Sequence, residues 1–239
     1  MNMGVQSILQ NGPVNKQMSE ATSVMVALTL SGGMQDAYSY FLRDKVFANA
    51  QTGNIVLMSV HLFEGDVKTG LRYLFPVLFF AFGVFAAQQI RTKCKEYQKL
   101  HWRQLIVALE ILLLLLVGFV PLQSGVVNLI ANALTSFCCA MQVQAFRKVN
   151  GHAYASTMCI GNMRSGMEAL SAYVTTGDHK CLRKFGQYMF VIFVFAIGAG
   201  LGGVLAAHVG QHMIWISCGL LLVAFLLMFI PSEEKMIDR

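Results

Sequence analysis

The sequence predicts an all-α polytopic membrane bundle of six full transmembrane helices, two short or re-entrant membrane helices and an inverted two-fold internal repeat. Of its 239 residues, 56% are apolar and only 13% are charged, and the mean hydropathy is +0.56. Because soluble domains carry about 25% charged residues, this composition excludes a soluble domain and a disordered chain. One helical crossing needs about 20 apolar residues, so the length allows roughly six to eight crossings and no sizeable soluble domain.

Eight apolar stretches account for the predicted membrane helices. Six are long enough to cross a membrane, and they run over about 21–42, 71–91, 104–122, 126–147, 186–208 and 212–230. Two are shorter or more polar, and they run over about 49–63 and 156–175. The first of these two would be only ~22 Å long as a helix, and the second contains Arg164 and Glu168.

The distribution of Lys and Arg favours six crossings. If neither doubtful stretch crosses, 14 of these residues lie on the side of the N-terminus and 4 on the other side. If both cross, the numbers are 8 and 9, and Arg164 is left inside the membrane. Because cytoplasmic loops are enriched in Lys and Arg, we expect six crossings with both termini in the cytoplasm. The loop 91–103 is the strongest cytoplasmic marker in either topology.

This topology divides the chain into three parts. A single membrane domain at 21–230 lies between a cytoplasmic N-terminal tail at 1–20 and a cytoplasmic C-terminal tail at 231–239. The repeat halves of the membrane domain are about 21–122 and 126–230. We see no removable signal peptide, because the N-terminus lacks a charged region followed by an apolar one.

Composition also limits the partners of the chain. The net charge of +6 comes from basic residues in short loops between apolar spans, which a cytoplasmic membrane face explains better than nucleic-acid binding. The six cysteines form no CxxC and no Cys/His ligand cluster, so the sequence predicts no metal site and no structural disulfide. The lipid bilayer is therefore the predicted partner, without nucleic acid or cofactor.

The two halves of the chain share a local pattern at an offset of 108 residues. The segment 49–54 (NAQTGN) aligns with 157–162 (TMCIGN), and Asp36 aligns with Gln144. The identities are few, but both halves contain a long helix, a short polar-tipped stretch and two long helices. Inverted repeats of this kind recur in transporters and channels, with the site between the halves. A scaffold can also arise by duplication, so the repeat favours transport without establishing it.

Asp36 is the first candidate for a functional group inside the membrane. Thr29, Gly33, Asp36 and Tyr40 share one face of the first helix. A carboxylate in the membrane costs at least ~2.5 kcal/mol, so we expect its side chain to face the protein interior, water or a donor. It is either a proton or substrate site, or a hydrogen-bonded side chain that locks two helices together.

Two further polar features could line a pathway. The segments 49–54 and 157–162 would place helix amino ends, with their partial positive charge, inside the membrane, although ordinary helix capping also explains them. A polar stripe on the fourth full span must point into the bundle, and it either lines a pathway or joins helices; it consists of Asn128, Asn132, Thr135, Cys139 and Gln142. The predicted pathway residues are Asp36, Tyr40, Asn49, Thr52, Gly53, Asn54, Asn132, Gln142, Gln144, Thr157, Gly161 and Asn162.

Three other charged residues lie within the apolar stretches. Glu110 either titrates, pairs with Arg103 two turns earlier, or extends its carboxyl group towards the membrane surface, and we expect one of the last two. Arg164 and Glu168 are four residues apart and are expected to form an ion pair within one helix. Small residues such as Gly198 and Gly202 predict close helix packing.

The segments 33–37 (GMQDA) and 47–54 (FANAQTGN) resemble the YoaK-type bacterial membrane proteins, a domain-of-unknown-function family. Residues 144–147 (QAFR), 157–161 (TMCIG) and Leu109-Glu110 fit the same pattern. The resemblance covers about 21–230, and it implies a multi-pass protein of the bacterial inner membrane with no known substrate.

The sequence thus leads to two hypotheses of function. The first is a transporter or channel for a small polar solute or ion, with Asp36 as the titrating or coordinating group. The second is a scaffold or sensor that acts through helix–helix contacts. An enzyme is not expected, because the chain lacks the motifs of a catalytic nucleophile, a zinc protease or a phosphate loop, and no catalytic residue is predicted. A homo-oligomer is compatible with the sequence, which does not determine the oligomeric state.

Overall fold

The computed structural model describes residues 21–94, 101–149 and 152–230. Within these ranges the regular secondary structure is helical apart from one small β-hairpin. The helices are α1 (Thr22–Leu42), α2 (Gln51–Phe63), α3 (Val67–Cys94), α4 (Trp102–Phe119), α5 (Val126–Ala145), α6 (Cys159–Thr176), α7 (His179–Val209) and α8 (Ile214–Leu227), with a 3-10 turn at Gly210–Met213. The hairpin pairs β1 (Lys148–Val149) with β2 (His152–Ala153). The predicted tails at 1–20 and 231–239, and part of the loop 91–103, lie outside the described residues.

The all-α prediction is confirmed, and each of the eight apolar stretches contains a helix. Four helical stretches in the described part of the chain are long and apolar enough to cross a membrane. They are Val67–Cys94, Trp102–Phe119, Val126–Ala145 and His179–Leu227. The last stretch contains α7, the 3-10 turn and α8. The protein is therefore a membrane protein by the length and composition of its helices.

The helix α1 is not among these four stretches, although the sequence predicts it as a full span. It carries buried polar residues along its length, from Thr29 to Ser39. The neighbours that enclose it are α5, α7 and α8. A helix that other helices shield from lipid does not need an apolar surface, which explains why α1 contains no stretch as apolar as these four.

Glycines allow α1 and α7 to pack with their backbones in contact. A side chain at Gly33 would collide with the backbone of Phe195 and Ala199, and one at Gly198 would collide with the backbone of Leu30. The contacts rise together along both helices, so α1 and α7 run in the same direction. The packing role predicted for the small residues of α7 is confirmed at Gly198.

Side-chain contacts show which helix ends lie together. At the carboxyl end of α1, Arg43 donates to the carbonyl oxygens of Val120 and Pro121, just after α4. It also donates to Asn128, near the start of α5. The helices α1 and α4 therefore end where α5 begins, so α5 runs against both of them.

After α1 the chain turns back towards the middle of that helix. The backbone N–H of Asn49 donates to Asp36 Oδ1 at 2.7 Å, and its side-chain amide donates to the carbonyl oxygen of Gly32 at 3.2 Å. The helix α2 begins at this depth and returns beside α3, where the rings of His61 and Tyr73 stack at 5.9 Å. With 13 residues, α2 is about 20 Å long.

A second segment returns to the same depth from the other end of the bundle. After the β-hairpin, Ser156 accepts a hydrogen bond from Gln142 at 2.9 Å, and Thr157 lies against Gly32. The helix α6 begins two residues later and leads back alongside α7, where the rings of Tyr173 and His179 lie 5.7 Å apart. Two helices thus begin beside the middle of α1 and lead to opposite ends of the bundle.

Candidate functional site

The two returning segments meet at Gly32, in the middle of α1. A side chain at Gly32 would collide with the Thr157 methyl group and would lie 3.7 Å from Gln142 Nε2. Asn49 reaches the same residue through its hydrogen bond to the Gly32 carbonyl oxygen. The absence of a side chain at position 32 therefore makes room for Thr157, while α5 and the first segment contact α1 at the same point. We call the residues around this point the Gly32 site: Thr29, Gly32, Asp36, Asn49, Gln142 and Thr157.

Asp36 supplies the negative charge of the Gly32 site. Its side chain is 8% exposed, and its Oδ1 atom accepts the Asn49 N–H, two residues before α2 begins. A carboxylate beside the amino end of a helix is favoured by the free N–H groups and the partial positive charge there. No Lys, Arg or His in the described ranges forms an ion pair with Asp36.

Four buried oxygen atoms of the Gly32 site lack a hydrogen-bond partner within the described residues. They are Thr29 Oγ1, Asn49 Oδ1, Gln142 Oε1 and Thr157 Oγ1. Each of these residues is at most 7% exposed. An unpartnered buried polar group costs about 1–3 kcal/mol, and such groups mark places where water or a ligand completes the bonding.

Two asparagines hold the tips of the returning segments. Asn54 accepts the N–H of Phe47 at 3.0 Å and donates to the carbonyl oxygen of the same residue at 2.7 Å. Asn162 does the same to Ala155, at 3.3 and 2.7 Å. In both places the asparagine lies near the start of a helix and bonds back to the residue seven positions earlier. Both residues are predicted pathway residues, but their side-chain amides bond to the backbone of the tips.

A second polar cluster lies on another face of α1 and centres on Gln35. The Gln35 amide donates to Ser31 Oγ at 2.9 Å, Ser217 Oγ at 3.2 Å and Glu110 Oε1 at 3.3 Å. Cys139 donates to Gln35 Oε1 at 2.8 Å. Gln35 is not among the residues predicted from the sequence, although a glutamine one turn after Ser31 in an apolar stretch is a signal for such a role.

The predicted position and partner of Glu110 need correction. The residue is fully buried and bonds to Gln35, whereas the expected partner Arg103 donates from Nε to the Ala145 carbonyl oxygen at 3.1 Å. Glu110 faces the bundle centre, where a carboxyl group cannot reach the membrane surface. Its Oε2 atom has no hydrogen-bond partner among the described residues.

Arg43 is also placed differently from the expectation. It was counted as a loop charge, but it is fully buried at the end of α1. Its guanidinium donates to the Tyr38 hydroxyl at 2.9 and 2.7 Å and to Asn128 Oδ1 at 2.8 Å. The carbonyl oxygens of Pro121 and Val120 accept its remaining bonds at 2.6 and 2.5 Å. This group joins the ends of α1 and α4 to the start of α5.

The polar stripe on α5 points into the bundle, as predicted, because all five of its residues are buried. Most of them bond to α1 or to the residue after it: Asn128 binds the Arg43 side chain, and Asn132 donates to the Arg43 carbonyl oxygen at 2.7 Å. Gln142 donates to the Leu28 carbonyl oxygen at 3.1 Å. The stripe therefore joins α5 to α1, and only Gln142 belongs to the Gly32 site.

The remaining predicted pathway residues make no contact with Gly32 that the structure shows. Gln144 donates to Gln88 at 2.9 Å between α5 and α3, and the Tyr40 ring stacks on Phe47 at 4.8 Å. Gly53 also lies against the Phe47 ring. Thr52 and Gly161 are exposed. A one-dimensional pattern places these residues near the tips but does not determine the direction of their side chains.

The ion pair predicted on α6 is present. Arg164 Nε and Glu168 Oε1 lie 3.0 Å apart, with side chains that are 81% and 63% exposed. The pair lies on an outer face of α6, away from Gly32. Among the residues that the structure describes, no three His, Cys, Asp or Glu side chains form a cluster that could hold a metal ion.

Comparison with known proteins agrees with the resemblance seen in the sequence. A family model described as "Protein of unknown function (DUF1275)" matches residues 24–227. This range runs from the first turn of α1 to the end of α8 and includes the Gly32 site. No curated protein and no solved structure matches the chain.

Proposed function

Because the chain belongs to the DUF1275 family, whose function is unknown, we propose from the geometry of the Gly32 site that it is a transporter or channel. Its substrate would be a small polar solute or ion, and its location a bacterial inner membrane. One observation carries the proposal: two helices, α2 and α6, begin at one buried polar site in the middle of the bundle and lead to opposite ends of it.

The proposal includes a topology of six full crossings with α2 and α6 as re-entrant helices. It is supported by the depth at which both helices begin, beside Gly32, and by their return to opposite ends of the bundle. The matching hydrogen bonds of Asn54 and Asn162 at an offset of 108 residues support an inverted repeat. The excess of Lys and Arg on the side of the bundle where α1 begins supports a cytoplasmic location for both termini.

Membrane physics links this arrangement to transport. Irregular backbone at membrane depth is tolerated only where protein buries it or where it lines a water-filled cavity. Discontinuous helices that end near the bilayer midplane form the binding sites of many transporters. In this chain such helices would expose polar groups at Gly32, where Asp36 adds a charge.

A flux assay tests the proposal directly. The purified protein would be reconstituted into liposomes and mixed with hyperosmotic glycerol, urea, ammonium chloride or sodium formate, with light scattering as a record of reswelling. We expect at least one solute to enter faster than in protein-free liposomes, and we expect Asp36→Asn to slow that entry. The control is Gln144→Ala, which alters a polar residue outside the Gly32 site and should leave entry unchanged.

Two results would count against the proposal. If no solute enters faster than in protein-free liposomes, the transport function is wrong. If entry is undiminished in Asp36→Asn, Asp36 has no part in the mechanism. Size-exclusion profiles of each variant would show that the comparison is made between folded proteins.

The topology has a separate test. Single cysteines at Gly65, between α2 and α3, and at Asp178, between α6 and α7, would be placed in a cysteine-free background. A membrane-impermeant maleimide should label them from opposite sides of the membrane. Labelling of both from one side would refute six crossings.

The rival hypothesis, a scaffold or sensor, is favoured by the polar stripe on α5, which bonds mainly to α1. It predicts that apolar replacement of Gln142 or Thr157 leaves function intact, whereas replacement of packing glycines such as Gly33 does not. The transport proposal predicts that the same apolar replacements of Gln142 or Thr157 lower the flux. The two functions therefore differ in whether these polar residues are sensitive to replacement.

A further inference from the structure

The orientation of two side-chain amides defines the chemistry of the Gly32 site. Asn49 Nδ2 donates to the Gly32 carbonyl oxygen, and Gln142 Nε2 donates to the Leu28 carbonyl oxygen. A flipped amide would bring its oxygen against a carbonyl oxygen, so both orientations are determined by the backbone. The oxygens Asn49 Oδ1 and Gln142 Oε1 are consequently left unpartnered as pure acceptors.

The hydroxyl groups of the site add two more unpartnered oxygens. Thr29 Oγ1 and Thr157 Oγ1 are buried, and neither has a hydrogen-bond partner among the described residues. Thr29 lies one turn before Gly32 on the same face of α1. The methyl group of Thr157 contacts Gly32. A hydroxyl oxygen can accept from a donor or bind a cation as well as it can donate.

The charge of the site is not balanced by a neighbouring side chain. The closest buried cation along α1 is Arg43, seven residues after Asp36. All five N–H groups of its guanidinium are used by Tyr38, Asn128, Val120 and Pro121. Arg43 therefore has no donor left for the Asp36 carboxylate.

The helix amino ends near Gly32 do not reverse this balance. Each carries a partial charge of about +0.5, which by itself favours an anion. However, the Asn49 N–H before α2 already binds Asp36 Oδ1. Of the four oxygens that remain open, Asn49 Oδ1 and Gln142 Oε1 can only accept, so an anion would meet lone pairs at these two atoms.

We propose that the Gly32 site binds a small monovalent cation through oxygen atoms. Asn49 Oδ1, Gln142 Oε1 and the hydroxyl oxygens of Thr29 and Thr157 would be its ligands, and Asp36 would supply the compensating charge. Hard cations take carboxylate, amide and hydroxyl oxygens, and ammonium binds the same oxygens as a hydrogen-bond donor. The proposal rests on the proposed function and names the class of ion for the same site.

A binding measurement tests the proposal independently of flux. The detergent-solubilised full chain would be heated with a thiol-reactive dye in choline chloride, and sodium, potassium or ammonium chloride would replace choline at constant ionic strength. A ligand that binds only the folded state raises the Tm in a saturable way. We expect one of the three cations to do so, and sodium gluconate to act like sodium chloride.

Near-isosteric variants locate the binding site. Thr157→Val and Thr29→Val each delete one hydroxyl and keep the side-chain volume. Each should weaken cation binding and so raise the half-saturating cation concentration at least tenfold. The control is Thr135→Val on α5, whose buried hydroxyl donates to the Ala131 carbonyl oxygen. This control should keep the cation response of the wild type. If one site variant fails to fold, the other still provides the test.

The possible results separate the two proposals. No saturable response to any of the three cations, a response that follows the anion, or an unchanged response in both site variants would overturn the cation site. Cation binding without solute flux would support the cation site and contradict the transport function. Flux of a neutral solute without cation binding would do the reverse.

Discussion

Asn54 and Asn162 clamp the backbone in the same way at two places 108 residues apart. Each accepts from the N–H and donates to the carbonyl oxygen of the residue seven positions earlier. Both clamps close a tip that meets α1 near Gly32. The two tips therefore share one hydrogen-bonding pattern. Only the first tip also bonds to an acidic side chain among the described residues, that of Asp36.

Removal of a clamp should loosen its tip. Asn54→Ala or Asn162→Ala leaves one backbone N–H and one carbonyl oxygen without a partner, which costs about 1–3 kcal/mol per buried group. We expect a lower Tm and a weaker cation response in each variant, as measured with the thiol-reactive dye. The exposed Thr52→Ala is the control near the start of α2, and it should behave like the wild type.

Unequal effects would be informative. If Asn54→Ala lowers the Tm and Asn162→Ala does not, the two tips do not contribute equally to stability. If neither variant lowers the Tm, the clamps do not hold the tips.

The contact between α1 and α7 should not tolerate a methyl group. In Gly33→Ala the new Cβ would collide with the backbone of Phe195 and Ala199, and overpacking of this kind costs about 1–3 kcal/mol. We expect a lower Tm. Gly200→Ala is the matched control in α7, because its Cβ would meet no atom within 4 Å.

The control Gly200→Ala should not lower the Tm. Alanine is favoured over glycine in a helix by up to ~1 kcal/mol, so Gly200→Ala should keep or raise the Tm. Equal destabilisation by both substitutions would show that backbone contact is not the reason for glycine at position 33.

Replacement of Arg43 should destabilise the end of the bundle where α1, α4 and α5 meet. Arg43→Lys keeps the charge but has three donors for the acceptors of Tyr38, Asn128, Val120 and Pro121. Because each lost hydrogen bond to a charged group costs about 1.5–3 kcal/mol, we expect a loss of roughly 3 kcal/mol and a clear fall in Tm.

The neighbouring Lys45 is the control for Arg43. It is exposed, and its amino group lies over the Tyr40 ring at 4.9 Å. An exposed contact of this type contributes about 0.5–1 kcal/mol, so Lys45→Ala should change the Tm only slightly. A similar fall in both variants would contradict the structural role of Arg43.

The amino end of α4 should weaken in acid. His101 caps this helix by accepting the Arg103 N–H at 3.3 Å, which requires a neutral ring. Burial and the charge of Arg103 lower the pKa of His101 below its ordinary value of 6.5. Since the unfolded chain binds the proton more readily, the contribution to stability is complete above about pH 6.5 and is lost as the pH falls below that value.

The measurement compares the Tm of wild type with that of His101→Asn from pH 8 to pH 5. Asparagine caps a helix without titration in this range, so the Tm of the variant should depend less on pH. The other histidines are common to both proteins and cancel in the comparison. An identical pH dependence would show that the His101 cap does not titrate with folding.

The amino-acid sequence is enough to predict the membrane class, the eight helical stretches and the internal polar candidates Asp36, Asn49, Gln142 and Thr157. These are local properties: apolar length determines a membrane helix, and a polar residue in such a helix is costly wherever it packs. Only the packed structure shows that α2 and α6 both begin beside Gly32, that Gln35 reaches Glu110, that Arg43 is buried and that Gln144 lies elsewhere. Each of these depends on contacts between residues distant in the chain, and a local pattern does not encode which side chains such contacts bring together.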